Sequence, residues 1–185
     1  MLVDTARHDL VWRSRRGIGN VVAPLLVWAG LSLLVLLSQD PGDSQVIYLV
    51  ASLLLWPLNL LLGRLLSRRS STADNPLFRL ALIGSFLSVI FIPVIVGTYL
   101  TAPNMMPLYL CILTGGQFLL YIWIYESFAY LFGSLGVVEV AVLISWLAPK
   151  ATYWVTPVAI TIILSITTVF LLGEISKDTE ATRHV

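Results

Sequence analysis

After an arginine-rich opening, apolar residues come in six runs, at about 17–38, 46–66, 77–100, 105–125, 128–147 and 152–173, with short polar segments between them. A helix rises about 1.5 Å per residue, so some 20 apolar residues cross roughly 30 Å of hydrocarbon. Each run therefore predicts one membrane-spanning helix, the structure that satisfies its own backbone hydrogen bonds where there is no water. The expected fold is all-α, a polytopic transmembrane bundle of six helices filling residues 17–173. Residues 1–16 form a cytoplasmic or interfacial N-terminal segment, and residues 174–185 a charged cytoplasmic tail expected to fray.

Within this pattern, Val3, Ala6 and Leu10 recur at helical spacing near Trp12, which predicts a short helix on the membrane surface. Arginines before an apolar run also mark signal peptides. The first run is longer than a secretory apolar region, however, and Gln39, Asp40 and Pro41 do not form a small-residue cleavage site, so it reads as an uncleaved span. QDPGDS at 39–44 predicts a tight turn. Pro57 predicts a kink near Leu53, and Pro107 fits the first turn of the fourth helix. Ser85 and Ser88 can close onto their own helix and are assigned no function. No internal repeat is evident, although two halves of three spans would be inverted relative to each other.

Composition supports the same class. The chain has 185 residues, of which 58% are hydrophobic and 11% charged, against about 25% charged in soluble domains, and its mean hydropathy is +0.90. The net charge of +1 matters less than its placement. Of 11 Lys and Arg residues, only Lys150 falls in an outward loop, so both termini are expected in the cytoplasm. Cys111 is the only cysteine, which leaves no internal disulfide and no CxxC motif.

Candidate chemistry gathers in the fourth and fifth spans. Thr114, Gln117, Tyr121 and Tyr125 share one face of the fourth, beside Gly115 and Gly116, where close helix packing is the expected role. Glu139 lies near the centre of the fifth span. A carboxylate there costs about 2.5–3.5 kcal/mol or more, so it should face the bundle interior. With no Lys or Arg at mid-span to pair with it, the uncharged acid is expected, hydrogen-bonded to Gln117 or Asn59. Thr161, Ser165 and Thr168 make a weaker polar stripe on the sixth span. The candidate intramembrane site is thus Glu139, Gln117, Tyr121, Asn59 and Thr161, with Glu126 and Tyr125 as a second candidate site at the cytoplasmic boundary.

Enzyme chemistry finds no support. Gly133-Ser134-Leu135-Gly136 resembles a serine-hydrolase turn, but the only histidines, His8 and His184, lie near the chain ends, far from any intramembrane serine. His8 beside Asp9 reads as a solvated surface pair. HExxH, phosphate-loop and dinucleotide motifs are absent, so no catalytic residue, metal or cofactor is assigned.

Pro103, Met106, Gly115, Tyr121, Trp123, Tyr125, Ser127 and Tyr130, with Trp56-Pro57 and Asn75-Pro76-Leu77 upstream, resemble an uncharacterised family of small bacterial multi-pass integral membrane proteins. The likeness runs from HDLVWRSRRG through the fifth span. The family pattern has a histidine in a Gly-x-His run where this chain has Gly115, Gly116 and Gln117, which argues against histidine chemistry here. The resemblance implies a bacterial cytoplasmic-membrane protein and no particular activity.

Two functions are compatible with these features. One is a small-solute channel or transporter, proton-linked through Glu139. The other is a structural or accessory membrane subunit in which Glu139 and the glycines pack helices or bind a partner. The expected partners are the lipid bilayer, a small solute or proton, and a second copy or another membrane protein. Nucleic acid is not among them.

Overall fold

The computed structural model describes residues 3–38, 41–67 and 74–183, and is helical almost throughout. The helices are α1 (Val3–Ser14), α2 (Gly19–Leu37), α3 (Pro41–Leu66), α4 (Pro76–Ile90), α5 (Ile92–Thr101), α6 (Met106–Tyr125), α7 (Phe128–Leu147) and α8 (Thr152–Arg183), with a single 3₁₀ turn, Pro103–Met105, before α6. Six segments are long and apolar enough to cross a membrane: α2, α3, α4 with α5, α6 with its 3₁₀ turn, α7 and α8. The protein is a multi-pass membrane protein. Gln39 and Asp40 of the expected turn, Arg68 and Arg69 between the second and third spans, and His184 lie outside the described residues.

Short connections make successive spans antiparallel neighbours, and the first span also meets the last. α2 packs on α3 and α8, α7 on α6 and α8, and α4 and α5 on both α3 and α6. The ring of six is filled from one side by α6, which also touches α3 and α8. More than half of the α6 span is buried (56%), against 28–39% for the other five. Small residues permit the closest approach. A Cβ on Gly115 would run into the Val138 side chain and lie 2.9 Å from the Ser134 carbonyl oxygen on α7, and Ser134 Oγ donates to the Gly115 carbonyl at 2.8 Å.

Four segments depart from the sequence-based expectation. Residues 41–44, read as part of a tight turn, are the start of α3, Pro41 fitting the first turn of a helix, where a missing N–H costs little. The third span breaks at Phe91 into α4 and α5, because Pro93 has no N–H to continue the ladder. The C-terminal segment is helical to Arg183, with Ile175 buried, where a frayed tail was expected from residue 174. The N-terminal helix is docked on protein rather than lying free on the membrane surface. Ala6 and Leu10 are buried and α1 packs on α4 and α6, while Val3 and Trp12 remain exposed. Asn75 ties it down: its Oδ1 accepts from Leu77 N at the start of α4, and its Nδ2 donates to Ala6 O at 2.7 Å and Asp9 Oδ2 at 3.0 Å.

Candidate functional site

The polar face of α6 is buried and satisfied locally. Thr114 Oγ1 donates to its own helix at Leu110 O, 2.8 Å away. Gln117 Nε2 donates to Ser88 Oγ, and one turn further along, the Tyr121 and Ser85 hydroxyls are 3.0 Å apart. Two hydroxyls of α4 therefore meet two polar groups of the antiparallel α6 in register. Asn59 is also buried, and its Oδ1 has no hydrogen-bond partner among the described residues. Thr161 Oγ1 donates to Pro157 O and lies 3.1 Å from Ser32 Oγ, on the α2–α8 side of the bundle.

Glu139 does not join them. Its side of α7 is exposed, in line with Leu135 and Leu143, while Gly133, Ser134, Val137 and Ala141 turn inward. The expectation that it faces the interior beside Gln117 or Asn59 fails for a reason of helix geometry. The inward face of α7 is set by the small residues that let it approach α6, and Glu139 falls outside that stripe.

At the opposite end of the polar face lies a denser network. Tyr125 stacks on Tyr130, with ring centroids 5.7 Å apart and an interplanar angle of 23°, and Tyr121 and Phe118 pack on the same ring of Tyr130. The Tyr130 hydroxyl donates to the carbonyls of Arg16 (3.0 Å) and Gly17 (2.8 Å) in the α1–α2 turn. That turn runs through the left-handed region at Arg15, Arg16 and Gly17 (φ 52°, 51° and 63°). Gly17 has no alternative, because a Cβ there would lie 2.5 Å from the Tyr125 ring.

Arg16 connects three helix ends. Nε and Nη2 reach the Asp178 carboxylate of α8 at 2.6 and 2.9 Å, and Nη1 donates to Tyr125 O at 2.8 Å and Glu126 O at 3.3 Å. Its Nη1 also stands 3.5 Å from Glu174. A cation at the C-terminal end of α6 satisfies otherwise orphaned carbonyls and opposes the negative end of the helix dipole. The hydrogen bonds to Asp178 raise the Arg16 pKa above its already high value, against the opposing effect of desolvation.

Glu126, half of the second candidate site, closes α6 in a left-handed conformation (φ 46°) that is more often occupied by glycine. Its carboxylate is exposed and pairs with Arg7, whose guanidinium carbon sits 4.9 Å from the Trp123 ring centroid. Tyr125, the other half, is buried in the aromatic cluster. Sequence reasoning gave no site role to Arg7, Arg16 or Tyr130, although Tyr130 is among the residues that carry the family resemblance. The available signal was the pair Arg15-Arg16 directly before Gly17 and the first apolar run. The matched spacing of Ser85 and Ser88 against Gln117 and Tyr121 was also readable.

What this arrangement does chemically is hold helix ends together, and among the described residues no group of three His, Cys, Asp or Glu side chains could hold a metal ion. No curated protein and no solved structure matches the chain. Residues 3–174, nearly all of the helical structure described above, match a family of unknown function, DUF7010, and the chain belongs to that family.

Proposed function

We propose that this protein is an accessory membrane subunit of the bacterial cytoplasmic membrane that works by associating with a second copy of itself through the outward face of α7. The observation that carries this reading is the exposure of Glu139 near the middle of that span. Leu131, Leu135, Val142 and Trp146 are exposed with it at helical spacing and form a seam one helix wide. An ionised carboxylate in hydrocarbon costs about 2.5–3.5 kcal/mol or more, and even the neutral acid lacks hydrogen-bond partners there, which a second copy supplies. Two carboxylic acid groups facing each other across a two-fold axis supply both donor and acceptor, so the seam is complementary to itself.

The competing reading is a channel or transporter for a small solute, and it draws on Asn59, whose buried Oδ1 lacks a partner among the described residues. It loses its main support with Glu139 outside the bundle. Oxidative cross-linking in native membranes separates the two. In a Cys111→Ser chain carrying Leu135→Cys, dimers should form, persist with Glu139→Gln and disappear with Glu139→Leu. If cross-linking is unaffected by Glu139→Leu while Glu139→Gln abolishes a proton-coupled uptake, the transporter reading replaces this one.

A further inference from the structure

Beside the α6–α7 turn is a cavity of about 410 Å³, lined at its polar end by Arg7, Glu126 and Ser127 and along its side by Ile122, Phe128 and Leu131. We propose that it binds one zwitterionic phospholipid, with Arg7 and Ser127 taking the phosphate, Glu126 the ammonium and the apolar side an acyl chain.

Ser127 points to a ligand. It is only 2% exposed, yet its Oγ has no hydrogen-bond partner among the described residues. A serine before a long helix ordinarily caps it, but here no side-chain cap bond forms, and Glu174 Oε1 accepts from Ala129 N at 3.2 Å instead. A buried hydroxyl left without a partner is costly, and a phosphate oxygen in the cavity would satisfy it. Arg7 supplies a second donor: its Nε is also buried and has no partner among the described residues, while Nη1 is occupied by Asp4 and Glu126.

Depth and charge select the ligand class. The cavity sits where the α6 span ends at Tyr125 and the α7 span begins at Phe128, with the half-exposed indole of Trp123 beside it, the position of a headgroup at the edge of hydrocarbon. Phe128 and Leu131 are exposed one turn apart below the polar end. A purely anionic headgroup would meet Arg7 but also the Glu126 carboxylate. A headgroup carrying both charges meets a partner for each, so neither member of the Arg7–Glu126 pair is left unbalanced when the pair opens.

The test is titration of the purified, detergent-solubilised full chain with dioctanoyl phosphatidylethanolamine, read as thermal shift, with the one-lipid complex counted by native mass spectrometry. Saturable stabilisation with one lipid per chain is expected. Loss of one charge-assisted hydrogen bond in Ser127→Ala should weaken binding about tenfold. Without lipid this variant should melt no lower than the parent, since it removes an unsatisfied polar atom, so a folding defect would not be mistaken for a binding defect. Glu126→Gln should shift preference towards dioctanoyl phosphatidylglycerol. Undiminished binding by Ser127→Ala would overturn the proposal, as would equal affinity of the parent for both headgroups. The same shift with inorganic phosphate alone would assign the cavity to a free anion and overturn the lipid.

Discussion

Arg15 and Arg16 share almost the same left-handed backbone, at a cost of about 1 kcal/mol each for a residue with a Cβ, but only Arg16 uses its side chain to hold other helices. Its side chain, 16% exposed, bridges the end of α6 and the Asp178 carboxylate. Arg15 has a buried Nε without a hydrogen-bond partner among the described residues. Replacing each by glycine should therefore have opposite effects. Arg15→Gly relieves the backbone and should leave the melting temperature in detergent unchanged or raise it, by up to about 1 kcal/mol of stability. Arg16→Gly gives the same relief but removes the paired hydrogen bonds to Asp178 and the donor to the α6 carbonyls, and should cost about 2–3 kcal/mol. Equal melting temperatures for the two variants would show that the Arg16 bridge contributes nothing. Neither partner of Arg16 was readable locally, since Asp178 is 162 residues away along the chain.

At the scale of single helices, the two adjacent glycines of α6 make a similar contrast. Gly115 is buried against Ser134 and Val138 of α7, whereas Gly116 is exposed, with nothing within 4 Å of where a Cβ would stand. Gly115→Ala should force α6 and α7 apart and cost about 1–3 kcal/mol, as overpacking does. Gly116→Ala should be tolerated and can gain up to about 1 kcal/mol of helix propensity. Resistance of the purified protein to unfolding in SDS checks both, and a larger loss at Gly116 would contradict the packing described for α6. That the pair lies mid-span was plain from the sequence. Which glycine faces protein depended on the rotation of α6 about its axis, and its neighbours set that rotation. The break at Phe91 was half legible: Pro93 marked the weak point, but a proline alone does not say whether a helix bends or divides.

For the whole molecule, the arginines that connect α1, α6 and α8 lie at one end of the bundle, with Lys177 near them on α8, and Lys150 lies beyond α7 at the other. The proposed orientation, with both termini in the cytoplasm, follows from the resistance of clustered basic residues to translocation. In intact cells expressing a Cys111→Ser chain, an impermeant thiol reagent should label Lys150→Cys and spare Lys177→Cys until the cells are opened. The reverse pattern would invert the orientation, though not the fold.

The sequence by itself determined the six spans and the all-helical class, because crossing hydrocarbon demands length and apolarity, which are local properties of each run. It also located the few polar residues of α6 and α7 along the membrane normal. Only tertiary structure decided which way they point. Gln117 and Tyr121 turn inward to Ser88 and Ser85, while Glu139, with the strongest claim to an interior place on solvation grounds, faces out because the small residues of α7 claim the contact with α6. Depth in the membrane is set by counting residues along one helix; facing is set by which side of that helix its neighbours can approach, and that depends on all six together.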